Sequence, residues 1–128
     1  MPAFQVPNST YVATSNINPS SFVTVSGSFT VAQSASGDAE LAGISNMSTN
    51  SFNGTYAAVS GFGVGVFTNS QNCWLTISGT VTAGDHLKPD NNGYGLTAVS
   101  TNVAGAIAEE SGVSGALIRV KVIPPTTV

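Results

Sequence analysis

Charge is what this chain lacks most. Nine of its 128 residues are Asp, Glu, Lys or Arg, 7% of the total, against about 25% in an average soluble domain. Three are basic and six acidic, for a net charge of −3. Three cations cannot neutralise the run of phosphates that a sequence-independent nucleic-acid binder contacts, so nucleic acid is excluded as a partner. Leu is also scarce, at five residues. With so little Leu, Glu and Lys, a long charged helical protein is excluded. The single Cys73 rules out a disulfide framework. With His86 the only histidine, the chain has no Cys/His set for a zinc site, which takes about four ligands. No stretch approaches the ~20 apolar residues of a membrane helix. Residues 1–20 have no Lys or Arg and no apolar core of a secretory signal. The expectation is synthesis in the cytoplasm, without export by the usual signal or membrane insertion.

Small neutral residues take the place of charge: 17 Ser, 14 Thr, 14 Gly and 11 Asn. The hydrophobic share is 41%, too high for a disordered chain. The length suits one domain. The charge is also unevenly placed. Up to Gly84 only Asp38 and Glu40 are charged, and the other seven lie between Asp85 and Lys121.

Short β-branched and aromatic runs separated by turn residues fill most of the chain. Phe22–Val25 and Ser28–Val31 flank Ser26-Gly27. Leu41–Ser45, Tyr56–Phe67, Cys73–Ser78, Thr80–Thr82, His86–Lys88, Tyr94–Val99, Val103–Ala108 and Ala116–Ile123 follow. In Cys73–Ser78 and Ala116–Ile123 apolar residues alternate with polar ones, the mark of a half-buried strand. Asp90-Asn91-Asn92-Gly93 predicts a hairpin loop, and Pro124-Pro125 predicts the end of the sheet. No segment shows a capped helical period. About nine short strands imply an all-β barrel or sandwich. Leu41–Ser45 resembles Val103–Ile107, as pseudo-symmetric strands would.

Residues 1–21 read differently. They hold Pro2, Pro7 and Pro19, no Gly and sparse apolar residues: Phe4, Val6, Tyr11, Val12 and Ile17. This is the pattern of an extended arm and not of a flexible Gly/Ser linker. Such an arm either packs on its own domain or adds as a strand to a neighbouring chain. The domain plan is therefore an arm (1–21), one β domain (22–123) and a short tail (124–128).

Catalytic chemistry finds little to work with. Cys73 shares a strand face with Leu75 and Ile77, as a small buried hydrophobe would. Gly61-Phe62-Gly63-Val64-Gly65 has neither the spacing nor the context of a dinucleotide loop. Asp85, Asp90, Glu109 and Glu110 flank turns, where they would cap backbone or pair with Arg119 and Lys121. Asp38 and Glu40 lack a calcium-loop pattern. No catalytic, cofactor or metal residue is expected, and the chain does not read as an enzyme.

The C-terminal part carries a recognisable rhythm. Ile77–Lys88 with its Ala83-Gly84-Asp85 turn, then Gly93, then Val103–Gly112, then Gly115–Val122 resembles the decoration (cement) proteins of tailed-bacteriophage capsids. A fainter version runs over Phe22–Ser45. The resemblance implies a small antiparallel β-barrel, β-tulip-like or sandwich domain with an extended N-terminal arm. It implies a virion protein on the capsid exterior that binds the major capsid protein and itself, as a homotrimer. On that reading Phe4, Val6, Tyr11, Val12 and Ile17 of the arm contact the shell, and no cofactor is needed. The alternative is another virion or surface β-module: a fibre, tail or carbohydrate-binding adhesin. The neutral first half is then the expected contact surface, and the charged hairpins near Asp85–Asp90 the solvent-facing end.

Overall fold

The computed structural model describes residues 9–47 and 55–128. Phe4 and Val6 lie outside the described residues. Ten strands occur among those described: β1 (Ser9–Ala13), β2 (Phe22–Gly27), β3 (Thr30–Gln33), β4 (Leu41–Ser45), β5 (Gly63–Phe67), β6 (Asn72–Thr76), β7 (His86–Pro89), β8 (Gly95–Thr97), β9 (Val103–Ala108) and β10 (Leu117–Thr127). No helix among them is long and apolar enough to cross a membrane. The chain is all-β, as its sequence implies.

Two ends differ from expectation. The apolar run at Tyr56–Phe67 is strand only from Gly63; Ala57 and Ala58 are buried and bridge to Ile17. At the other end Pro124 and Pro125 do not stop the sheet. β10 runs on to Thr127, with the prolines in a register shift between Val122 and Thr126. Past Lys121 the strand has left β6, so one edge is open and the missing proline N–H groups break no ladder. The tail is thus the last part of a strand, and Val128 bonds Asn102 and Thr101.

The strands form two five-stranded sheets with one wiring. The first is a closed barrel in the order β1-β3-β2-β4-β5, and the second runs β6-β10-β9-β7-β8. Substituting β6 for β1, β7 for β2, β8 for β3, β9 for β4 and β10 for β5 turns one into the other. The details repeat at a spacing of 64 residues over the first three strands of each motif, falling to 54 by the last. Ile17 bridges Ala58 as Val81 bridges Gly112, and Ala13 pairs with Val31 as Ile77 pairs with Gly95. Asp38 caps the N–H of Ala35 as Asn102 caps that of Val99, each at 2.9 Å. The chain is therefore two copies of one barrel motif. The pairing of β4 with β9 bears out the Leu41–Ser45 and Val103–Ile107 echo, though structurally Ile44 matches Ile107, one residue off the sequence alignment.

Each motif fills its own interior. The first packs Ala13, Ile17, Val23, Val31, Ala57, Ala58, Val64 and Val66. The second packs Leu75, Ile77, Val81, Leu87, Ile118 and Val120, and this cluster continues into Phe22, Leu41, Ile44 and Phe67 of the first. Phe22, Ile44 and Phe67 lie in one cross-strand row on the outside of the first barrel. Covered by the second motif, they join both into one body. Burying each such side chain contributes roughly 1.5–3 kcal/mol.

The arm expectation is corrected for residues 9–21. β1 lies between β3, which it pairs in parallel, and β5, which it pairs antiparallel. It is extended, but the partner for its backbone groups is its own barrel, which has no association entropy to overcome. The domain accordingly begins at β1 and not at Phe22.

Candidate functional site

Most of the titratable residues singled out in the sequence make structural contacts. Cys73 is buried, and desolvation followed by the charge of Glu109 pushes its thiol up to about 12. A thiol so held is not a nucleophile near neutral pH. His86 is exposed on β7. Asp85 accepts from the Thr82 N–H at 3.0 Å and the Thr97 hydroxyl at 3.1 Å. Asp90 accepts from the N–H groups of Asn92 and Tyr94. Asp38 accepts from Ala35 and Thr24. Glu109 pairs with Arg119 at 3.4 Å, both side chains part-exposed, a contact of about 0–1 kcal/mol. Among the described residues no three His, Cys, Asp or Glu side chains come together as a metal site.

The arm residues named from sequence separate. Ile17 is fully buried in the first barrel and cannot reach a neighbour. Tyr11 is half-buried against the same core. Val12 remains 45% exposed. It sits beside a residue that sequence reasoning passed over, Phe29, which is 82% exposed. The Val12 N–H donates to the Phe29 carbonyl at 3.0 Å, so the two close the β1–β3 seam. Phe29 has φ of 57°, a conformation that costs a non-glycine residue roughly 1–2 kcal/mol. A large apolar side chain, exposed and strained, marks a contact surface better than exposure alone. Its one sequence signal was its place after Gly27-Ser28, in a turn where an aromatic has no packing role.

The matching seam in the second motif is occupied. There the Thr76 N–H donates to the Ser20 carbonyl at 2.9 Å, and the Phe22 N–H donates to the Gly93 carbonyl at 2.7 Å. Thr76 and Gly93 are the counterparts of Val12 and Phe29. Ser20–Phe22 thus inserts between them as an added strand would. This is why the second motif keeps only the single Ile77–Gly95 bridge where the first has two closing pairs. The hairpin tip after Asp90 is therefore solvent-facing only in part: Asn91 and Asn92 are exposed, whereas its last residue is covered. Gly93 is buried against Phe22 and Gln33, and the Asn18 side chain donates to the Asn92 carbonyl at 3.2 Å.

No protein-family model matches the chain, and no curated protein matches it. Among solved structures it is similar to the N base of the head fiber gp8.5 of bacteriophage phi29. The TM-score is 0.57 at 14% identity, over 93% of this chain and 95% of that one. The two share a fold.

Proposed function

We propose that this is a structural, non-enzymatic virion protein that decorates and stabilises the outside of an icosahedral phage capsid by binding the major capsid protein. The observation that carries the reading is the fold likeness to a phage head fiber base over nearly the full length of both chains. The structure adds physical sense. Asp38, Asp85, Asp90 and Cys73 are committed to turns and core, and what faces outward is poor in charge, with strained Phe29 at a hairpin tip. Such a surface packs closely on a shell without burying unpaired charge. Many weak contacts then sum through multivalency. The protein works as a homotrimer.

The test is binding of the purified chain to expanded shells. It should co-sediment with shells and raise their heat resistance; sedimentation without shells would overturn the reading. The same neighbour favours a second reading, the base of a head fiber. Electron microscopy of decorated shells separates them: low knobs for a decoration protein, projecting rods for a fiber base.

A further inference from the structure

The two motifs differ where it matters for assembly. In the second, the seam formed by Thr76 and Gly93 receives Ser20–Phe22 of the first. In the first, the equivalent Val12–Phe29 seam receives no strand from the described residues. The segment equivalent to Ser20–Phe22 is Gly84–His86 on the second motif. Gly84 and His86 are exposed, whereas Ser20 and Phe22 are buried. Among the described residues, one motif therefore carries a seam closed only on itself, and the other an exposed segment equivalent to the strand that fills its sister seam.

We propose that this chain associates head to tail, the Gly84–His86 edge of one copy docking on the Val12–Phe29 seam of the next, as Ser20–Phe22 docks on Thr76 and Gly93 within the chain. The inference rests on the self-association part of the proposed function and not on shell binding.

Complementary changes at the two sites support a second copy as occupant. Within the chain, Gly93 faces Gln33. A Cβ at Gly93 would fall on the Gln33 amide nitrogen and 2.9 Å from the Phe22 carbonyl oxygen. Glycine is needed there because Gln33 fills the space. At the open site both partners are exchanged in size. Phe29 stands where Gly93 does, and Thr97 stands where Gln33 does. The shorter threonine leaves room for an aromatic. The polar setting is retained: Thr97 donates to Asp85 as Gln33 donates to Ser21. The outer row Phe22–Ile44–Phe67 has the counterpart His86–Ile107–Lys121, in which His86 and Lys121 are exposed and Ile107 is half-buried, so it is left uncovered within the chain. On docking, the Val12–Phe29 bond is exchanged for two, from Val12 to the Gly84 carbonyl and from His86 to the Phe29 carbonyl. Such a contact joins different patches, so it builds rings or open chains and not two-fold dimers.

The test uses the full chain. Wild type should run in sedimentation velocity at a multiple of its 12.9 kDa chain mass. Phe29→Asp and Thr97→Gln should each run as single chains with unchanged far-UV circular dichroism. Mixing Phe29→Cys with Thr97→Cys under oxidation should give cross-linked pairs that neither variant forms alone. Cys73, buried in the core, stays out of the exchange. A wild type of single-chain mass up to high micromolar concentration would overturn self-association and this interface together. Cross-linking of Phe29→Cys with itself, or Phe29→Asp keeping the wild-type mass, would overturn the interface alone.

Discussion

Phe29 and Gly93 hold the same place in the two barrel motifs, both at positive φ, 57° and 79°. One is a bare hairpin tip and the other is buried against Phe22 and Gln33. The pair shows how one motif used twice acquires two roles. Where the tip meets the other motif, only glycine fits. Where it faces outward, an aromatic is kept despite its backbone cost.

Gly93→Ala should be among the most damaging small substitutions. Its Cβ would strike Gln33 and the Phe22 carbonyl, at a positive φ that alanine resists. A loss of about 2–4 kcal/mol is expected in urea unfolding. Adding Gln33→Ala should recover part of it, because the backbone clash and φ strain remain.

Ser20→Gly should do the reverse. Ser20 has φ of 47°, and its counterpart Gly84 has φ of 96°. The Ser20 hydroxyl is also buried without a hydrogen-bond partner. Glycine removes the strain and the orphan hydroxyl while leaving the carbonyl that accepts from Thr76. Stability should rise by about 1–2 kcal/mol, read as a higher urea midpoint with unchanged slope.

Phe22→Ala should cost about 3–5 kcal/mol. The side chain is completely buried between the two motifs. Its loss removes the largest shared contact, so hydrogen exchange should show one motif losing protection before the other.

Cys73 makes stability depend on alkaline pH. Its thiol is raised from 9.0 to about 12 in the fold. The folded state therefore holds its proton more tightly than the unfolded chain. The contribution is complete below pH 9 and is lost as pH rises from 9 toward 12, at about 1.4 kcal/mol per pH unit. The difference in unfolding free energy between wild type and Cys73→Ala should change with that slope above pH 9 and stay flat below it.

Deleting residues 1–21 should abolish folding and not merely docking. β1 closes the first barrel, and Ala13 and Ile17 are core residues. The truncated chain should lose its cooperative thermal transition in circular dichroism.

Much of the fold was legible in the residues. Alternation in Cys73–Thr76 and Leu117–Val122 placed Leu75, Ile118, Val120 and Val122 inward, and the structure agrees. β4 and β9 have the bounds their composition suggests, because buried strands are set by local apolar runs. The turn after Asp90 was legible because only Gly93 there needs positive φ. The sheet does not end at Pro124-Pro125, since a proline breaks a ladder only where its missing N–H would face a partner, and here β6 has ended while β9 resumes pairing after a register shift.

What the sequence by itself determined is the all-β class, most of the strands and their inward faces, all local consequences of side-chain type and period. Tertiary structure decided the rest. It placed β1 inside the barrel, because pairing within one chain is entropically cheaper than pairing with another. It revealed the duplication, because two barrels need the same geometry and buried volume but not the same residues. And it divided Phe29 from Gly93, because only packing decides which of two like turns is covered.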